Sequence, residues 1–491
     1  MKGILGAFLV VLAAAIAQAQ PKSAPTTSTV NVAAFDARLE QAAAAIDDGN
    51  YDAAITLVKA AESGEQLSKS DADWAAYLKA RAMAAAGNTA DAEKTIRERQ
   101  RAYPNSYNWA SLVSILMNCG QHEEAAKAVV DLDDGDFVLA NRLRPGVVEG
   151  ILTALESAKS PVSDQLVAKL VENRYTGPSS QHVPDTIRLR YINLLLRQNR
   201  VEDAARETKS LESPAILSIL LTDKAFGPLW EYPAVNALMA PGALVARVDR
   251  GIQARLEQTS LTASDWLDLM RSLRVIGRSD EAARLGLKAI EQARTGKRAA
   301  APALRLEVAN AYADMGESWA ARRTAKELMK EQASLPVSLR VAIANVLELT
   351  GDDGGAILLI STIDGAETLS AAQKVVACAA HDLARNEKRD EALARLEVLG
   401  DAALVDRMDA YVCTGQAAKA SQALISMYAR PELRTTAILT SQLYADPSKA
   451  GTDLSDLRYR MRALVASNDV QEAVKAYART LGLSFTIAIS R

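Results

Sequence analysis

Apolar residues along most of the chain recur with the spacing of one helix face, and short polar phrases interrupt them. Each phrase holds a turn-forming residue, three or four polar residues, and then Ala inside the next helical run, as in Gly49–Ala54 and Gly87–Ala92. Gly or Asn accepts the left-handed backbone that ends one helix, and a following Asp, Asn or Ser can cap the next helix. The pattern predicts pairs of helices joined by tight turns.

The phrase occurs ten times, and the neighbouring turns 49/87, 87/120, 277/316 and 316/351 are 33 to 39 residues apart. The turns at positions 120, 199 and 277 are more widely spaced, so each of these two gaps has room for one degenerate helix pair. Ala, five residues after the turn residue, is small enough for the second helix to cross the first closely. The copies begin at Gly49, Gly87, Gly120, Asn199, Gly277, Gly316, Gly351, Asn386, Gly415 and Asn468.

Two copies carry further small and apolar residues at matching positions. They are Trp109, Leu112, Leu116, Gly120, Ala125 and Val129, and then Trp266, Leu269, Leu273, Gly277, Ala282 and Ala289. With them the chain resembles the tetratricopeptide repeat (TPR) family, whose unit is a 34-residue helix pair. The resemblance covers most of Phe35 to Leu481. It implies an all-α, TPR-like α-solenoid, a right-handed superhelix of antiparallel helix pairs with the first helices inside.

The N-terminus has the features of a signal peptide. Met1-Lys2-Gly3 is followed by 14 uncharged residues, Ile4–Ala17, and Ala17-Gln18-Ala19 provides the small residues that signal peptidase accepts. Fourteen helical residues span about 21 Å, short of the roughly 30 Å of a bilayer core. We therefore expect residues 1–19 to be removed near Ala19 and the protein to be exported, periplasmic or secreted.

The remaining chain divides by its pattern into five segments. Residues 20–34 are predicted to be a flexible leader, 35–212 an N-terminal array, 213–247 an irregular insert, 248–482 a C-terminal array, and 483–491 a tail. The insert contains Phe226-Gly227-Pro228-Leu229-Trp230, which cannot continue a regular helix. We interpret it as a packed hinge, with an aromatic binding knob as the alternative. The tail is either a short strand or an apolar flap over the end of the array.

Composition narrows the possible functions. The 491 residues include 57 Lys and Arg against 60 Asp and Glu, a net charge of −3, and 49% are hydrophobic. This apolar fraction excludes a wholly disordered chain, and balanced charge argues against nucleic-acid binding, which needs a concentrated basic face. The mature chain contains no other segment long and apolar enough to span a bilayer.

Three cysteines and three histidines offer little for metal chemistry. Cys119 and His122 form one half of a zinc motif, and Cys378 and His381 form another. The two halves lie several helix pairs apart, so they cannot bind one zinc ion together. We expect the thiols to be buried and unpaired, and a bridge between Cys378 and Cys413 is the alternative.

Catalytic motifs are equally scarce. The loop with Ser179, Ser180, His182 and Asp185 has no nucleophile elbow, and no phosphate-binding glycine motif occurs. Neither cofactor, metal nor catalysis is expected. An enzyme with a site of unrecognised type is the remaining alternative.

One position on each first helix points to a partner site. Six residues before each turn residue, TPR proteins place a side chain that faces the concave groove. An amide there can hydrogen-bond a bound peptide backbone, and Arg can pair with a carboxylate. The candidate groove residues here are Arg81, Ser114, Asn193, Arg271, Asn310, Asn345 and His381, the last of them with Glu387 taken as the turn residue of its copy.

The sequence therefore predicts a non-enzymatic scaffold or adaptor of the cell envelope that binds protein or peptide segments, within an envelope complex. The alternative is a carbohydrate-binding or enzyme-associated solenoid. Its stacking platforms would be Trp74, Tyr77 and the aromatic residues between Phe226 and Tyr232.

Overall fold

The computed structural model describes residues 29–47, 50–63, 68–102, 108–118, 120–178, 182–240, 242–257, 261–295, 301–330, 335–444, 452–483 and 485. The expected signal peptide and its cleavage site lie outside these residues. Helix α1 begins at Thr29, so the end of the expected leader is helical. The chain forms two compact units, Met1–Leu194 and Leu195–Arg491.

The first unit is built from helices that pair in chain order. They are α1 (Thr29–Asp47), α2 (Tyr51–Glu62), α3 (Lys69–Ala85), α4 (Thr89–Ala102), α5 (Asn108–Asn118), α6 (His122–Val130), α7 (Pro145–Ser157), α8 (Val162–Glu172) and α9 (Asp185–Arg197), whose last residues belong to the second unit.

The second unit begins irregularly and then repeats. Its first elements are α10 (Val201–Glu207), α11 (Pro214–Thr222), α12 (Pro233–Asn236) and α13 (Ala243–Leu256), separated by short 3-10 turns. Five regular pairs follow: α14 (Ala263–Val275) with α15 (Ser279–Thr295), α16 (Ala301–Asp314) with α17 (Ser318–Met329), α18 (Val337–Leu349) with α19 (Asp353–Ser361), α20 (Ser370–Asp382) with α21 (Asn386–Val398), and α22 (Leu404–Cys413) with α23 (Ala417–Ala429). The unit ends with α24 (Pro431–Thr440), β1 (Leu443–Tyr444), α25 (Thr452–Val465), α26 (Asn468–Tyr477) and β2 (Gly482–Leu483).

The turn inside a pair has one recurring geometry. Gly277 has a φ of 82°, and its N–H donates to the Arg274 carbonyl at 3.0 Å. The next N–H, that of Arg278, donates to the Leu273 carbonyl at 2.9 Å, which closes a Schellman motif. The same positive φ occurs at Gly87, Gly120, Lys159, Asn199, Gly316, Gly351, Ala384 and Gly415. The predicted turns at seven of these nine positions are confirmed.

The two wide gaps in the sequence pattern have different contents. Lys159, with a φ of 54°, lies between α7 and α8, so a degenerate pair fills the first gap as expected. The second gap contains the irregular elements α11 to α13 instead of a pair. In the eighth copy the left-handed residue is Ala384 rather than Asn386, which is the first residue of α21.

In the second unit, each first helix (A helix) packs against the A helices before and after it: α14, α16, α18, α20 and α22 form one layer. Each second helix (B helix) packs on the A helix of its own pair and on that of the next pair. The crossing Ala residues predicted from the sequence are fully buried at Ala282, Ala321, Ala356 and Ala420. The described residues are thus an all-α, TPR-like solenoid array, apart from two strands of two residues each.

The irregular insert packs instead of protruding. Phe226 is buried, and the indole N–H of Trp230 donates to the Leu220 carbonyl at 2.9 Å. The guanidinium of Arg479 lies 3.7 Å from the centre of the Trp230 ring. These aromatic side chains pack within the second unit, which argues against the alternative that they form an exposed binding knob.

The second unit also closes on itself, because its first and last elements touch. Helix α11 packs against α24, and Asp223 forms an antiparallel bridge with Ala478. Arg479 donates from its backbone to the Thr222 carbonyl and from Nε to the Leu221 carbonyl, at 2.9 and 2.7 Å.

The start of the tail is a short strand, one of its two expected forms. Residues Gly482 and Leu483 pair in parallel with Leu443 and Tyr444, and Phe485 is fully buried.

One expectation is wrong. Cys378 and Cys413 form a disulfide with a Cα–Cα distance of 5.5 Å, so they are not free thiols. The bridge joins α20 to α22, two neighbouring helices of the A layer. Cys119 lies outside the described residues.

Candidate binding surface on the A helices

The candidate surface is the polar face of the A layer in the second unit, called here the A face. It is defined by the position six residues before each left-handed turn residue and by the polar side chains that contact it. Arg271, Asn310 and Asn345 occupy that position on α14, α16 and α18, which pack in succession. Arg271 is 61% exposed, and the two asparagines are half-buried.

A buried ion network lies beneath this surface. The Nε of Arg274 is 2.6 Å from the Oδ2 of Asp314, and its Nη1 pairs with Glu307. Burial disfavours the charge on Arg274, but the two carboxylates outweigh that effect and raise its pKa. Only 16% of the Arg274 side chain and 6% of the Glu307 side chain are exposed. The network therefore fixes α14 against α16.

Glu307 also connects the network to the predicted groove residues. The Nδ2 of Asn310 donates to its Oε2 at 3.5 Å, and the Nε of Arg271 lies 3.7 Å from the same oxygen. Two of the predicted residues are therefore brought together around one carboxylate, which orients their remaining donors.

The layer continues with polar links at two further junctions. Lys374 on α20 donates to the Oδ1 of Asn345 on α18. Ser370 on α20 donates to Asp406 on α22 at 2.6 Å. Burial raises the pKa of Asp406, although the Ser370 hydrogen bond and Lys374 act in the opposite direction.

The position assigned to His381 needs correction. It was reached by taking Glu387 as the turn residue, but the left-handed residue is Ala384. Cys378 therefore occupies the equivalent of Arg271, Asn310 and Asn345, and His381 lies nearly one helical turn later. At this repeat the groove position holds a disulfide instead of a polar side chain.

In the first unit the predicted residues lie on three helices, α3, α5 and α9. Arg81 on α3 and Ser114 on α5 lie on neighbouring helices, and both are half-buried. The Ser114 hydroxyl donates to the Ala110 carbonyl of its own helix at 2.9 Å. Asn193 is exposed on α9, with α7 between it and α5 in chain order.

The aromatic residues proposed as sugar platforms are packed. Trp74 and Tyr77 stack with their ring centres 5.4 Å apart, and both contact the core of the first helix pairs. Together with the packed insert, this leaves the carbohydrate-binding alternative without an open aromatic surface among these residues.

Within the described ranges, no three His, Cys, Asp or Glu side chains gather as a metal site would require. The second half-zinc motif has lost its thiolate, because Cys378 is bridged. Ser179 and Ser180 lie outside the described residues, so the loop with His182 and Asp185 is described only in part. No helix in the described part of the chain combines the length and apolarity needed to cross a bilayer.

The acidic residues of the A face were not predicted from the sequence. Asp268, Glu307 and Asp406 each lie nine residues before a turn residue, one helical turn from the predicted groove position. This i, i+3 spacing places an acid beside each groove residue on α14, α16 and α22. This recurring acidic position could have been recognised in the sequence.

Comparisons with known proteins add little evidence on the fold or the function of this chain. No family model matches the chain, and no curated protein is similar to it. The crystal structure of the APC/C hetero-tetramer Cut9-Hcn1 aligns with 91% of this chain and 87% of its own at 12% identity, with a TM-score of 0.28. Naa15/Naa10 bound to HypK-THB aligns with 91% and 70% at 13% identity, with a TM-score of 0.24. At such TM-scores, the description of the fold rests on this chain's own helices.

Proposed function

We propose that the protein is a non-enzymatic scaffold whose A face in the second unit binds an extended segment of a partner protein. The observation that carries the proposal is the alignment of Arg271, Asn310 and Asn345 on three successive, directly packed helices. Their amide and guanidinium groups can donate to backbone carbonyls and carboxylates, and an extended chain presents such groups at regular intervals.

The network beneath the A face supports this role. Because Arg274, Glu307 and Asp314 are buried and mutually paired, the groove residues are held in place before a partner arrives. A surface ordered in advance loses less side-chain entropy on binding.

We further propose that the protein works in the cell envelope after cleavage near Ala19. The bridge between Cys378 and Cys413 supports export, since disulfides persist in oxidising compartments. Alkylation with a large maleimide reagent in denaturant tests this: the exported, unreduced protein should react at one cysteine and the reduced protein at three. Three reactive thiols in unreduced protein isolated from the envelope would contradict the proposal.

The binding role is tested with Arg271→Ala combined with Asn345→Ala. We expect affinity for a partner recovered from envelope extract to fall about tenfold or more, while the thermal unfolding temperature changes little. The matched control is Arg284→Ala with Gln422→Ala, an arginine and an amide that are exposed on B helices. Equal losses in both variants, or none in the first, would refute the assignment of the site.

A photocrosslinking residue in place of Arg271 identifies the partner directly. A discrete protein adduct is expected. Quenching of tryptophan fluorescence by glycans, with no protein adduct, would favour the carbohydrate-binding alternative.

A further inference from the structure

The disulfide between Cys378 and Cys413 belongs to the A face of the second unit. Cys378 holds the groove position on α20, six residues before the left-handed residue Ala384. Cys413 is the last residue of α22 and lies one helical turn after Asp409, which holds the groove position there. The bridge is therefore part of the helix face that carries the groove residues of the preceding A helices.

The two bridged residues differ in their access to solvent. Cys413 is half-buried, whereas only 4% of Cys378 is exposed. A disulfide is opened by a thiolate that attacks one of its sulfur atoms, and the rate depends on access to that atom. The Cys413 side of the bridge is therefore the side open to a thiolate from solution.

The charges around the bridge are balanced and do not favour either sulfur. Each cysteine has a cationic and an acidic neighbour, either one helical turn away or bonded to its backbone. For Cys378 these neighbours are Lys374 and Asp382, together with His381, and for Cys413 they are Arg460 and Asp409. Access, and not charge, thus decides which sulfur is attacked.

We propose that this bridge is a thiol–disulfide exchange site. An external thiolate attacks the Sγ of Cys413, a new S–S bond forms between that sulfur and the incoming one, and the old S–S bond breaks. Cys378 leaves with the bonding electron pair and takes a proton from water. The incoming sulfur is oxidised and the Cys378 sulfur is reduced, so the exchange needs no further oxidant or reductant.

The freed thiol stays close to the sulfur that it left. The Cα atoms of Cys378 and Cys413 are 5.5 Å apart in the bridge. Ser370 of α20 donates to Asp406 of α22 at 2.6 Å, which holds the first turns of the two helices together without the bridge. Cys378 is therefore placed to attack the mixed disulfide, expel the external thiol and restore the bridge. We expect the adduct to be short-lived in the native protein and stable once Cys378 is replaced.

Two kinds of thiol provide the required thiolate: a small molecule such as glutathione, or a cysteine of a partner segment bound along the A face. The chemistry at Cys413 is the same for both. Exchange with a small thiol needs no partner protein, so the inference does not depend on the proposed binding role.

The first test follows the opening of the bridge in the full mature protein carrying Cys119→Ser, which leaves only the two bridged cysteines. Excess glutathione is added to the folded protein, the reaction is stopped with acid, and the products are located by peptide mass spectrometry. We expect glutathione on Cys413, a free thiol at Cys378, and a rate proportional to the glutathione concentration. Glutathione on Cys378, or opening only at the rate of global unfolding, would overturn the proposal.

Single-cysteine variants give the matched comparison, because Cys378→Ser and Cys413→Ser both lack the bridge. Each is made in the Cys119→Ser protein and treated with oxidised glutathione under native conditions. The thiol of Cys413 should form a mixed disulfide at least about tenfold faster than that of Cys378, since it is the more accessible of the two. Equal rates would contradict the proposal. Circular dichroism verifies that both variants fold, and the experiment on the bridged protein does not need them.

The same variants distinguish the two sources of thiol in cells. When the Cys378→Ser protein is isolated in acid, a protein adduct on Cys413 that dithiothreitol releases identifies a partner cysteine, and glutathione on Cys413 identifies a small thiol. The Cys413→Ser control should carry neither adduct. If Cys413 also carries neither, the proposal is wrong.

Discussion

The A and B layers of the second unit are made from the same repeats, yet they hold their charges differently. In the A layer, Arg274, Glu307 and Asp314 form a buried network between α14 and α16. In the B layer, Lys326 of α17 reaches Asp352 at 2.6 Å, but most of the lysine side chain is in water. Burial, and not the number of ion pairs, thus separates a layer with a fixed geometry from one whose side chains can be rearranged by a partner.

The largest expected effect comes from breaking one pair in each layer. Arg274→Ala leaves Asp314 buried without its counter-charge and Glu307 with only the more distant Arg271, so we expect a loss of about 3–5 kcal/mol in the free energy of unfolding. Lys326→Ala, at a comparable distance from its carboxylate, should cost at most about 1 kcal/mol. Urea unfolding curves of both variants measure the difference.

Arg274→Met separates the charge from the volume of the side chain. If the network owes its role to charge pairing, this variant should be nearly as unstable as Arg274→Ala. Equal, small losses for Arg274→Ala and Lys326→Ala would remove the distinction between the two layers.

The turns show how much of the fold can be predicted from local sequence. Gly and Asn predicted seven left-handed turns, because these residues adopt a positive φ at little cost. Lys159 and Ala384 adopt it as well, with φ of 54° at both. Packing of the flanking helices compensates for the unfavourable backbone there, and no local rule marks such a position. The missed turn at Ala384 shifted the register of its repeat and led to the choice of His381.

Contacts between distant parts of the chain escaped prediction for a different reason. Arg479 contacts Leu221 and Thr222 from more than 250 positions away, and periodicity reports only on neighbours in sequence. The disulfide was foreseen only as an alternative, since spacing alone does not give the geometry that bridging requires.

The candidate site was predicted in part. The groove positions of Arg271, Asn310 and Asn345 followed from the repeat register, but Glu307 and Lys374, which hold them, did not. Contacts between neighbouring A helices decide those partners, and the register of a single helix does not specify them.

Two glycines on B helices provide a second comparison, with smaller expected changes in the free energy of unfolding. A Cβ added to Gly286 on α15 would lie 2.4 Å from Met270 Cε and 2.5 Å from Val308 Cγ2, on the two A helices that it crosses. We expect Gly286→Ala to cost about 1–3 kcal/mol through overpacking. Gly354, in the first turn of α19, has open space around its added Cβ. Gly354→Ala should therefore stabilise the protein, by up to about 1 kcal/mol, because Ala favours the helix.

Thermal unfolding of the two glycine variants gives the sign directly. Opposite shifts in the unfolding temperature are expected. Stabilisation by both would mean that α15 is not packed tightly against the A layer.

The smallest expected effect is the dependence of stability on pH. It should differ between Asp406 in the A layer and Asp352 in the B layer. Burial raises the pKa of Asp406 in the A layer above its usual 3.8. Burial also opposes the charge of Asp352, but Lys326 and the Gly355 N–H outweigh it and lower the pKa. The folded state thus favours protonated Asp406 and ionised Asp352. The stabilisation from Asp352 is present above pH 3.8 and is lost as the pH falls through its lowered pKa, whereas that from Asp406 is present below 3.8 and is lost as the pH rises through its raised pKa.

Substitution by Asn isolates each contribution. As the pH falls below about 4, the stability that Asp352→Asn loses relative to the native protein should shrink. Asp406→Asn should instead be most stable relative to the native protein at pH values above the raised pKa of Asp406, where the native carboxylate is charged. Urea midpoints at a series of pH values measure both trends, and parallel trends in the two variants would show that burial does not divide the layers in this way.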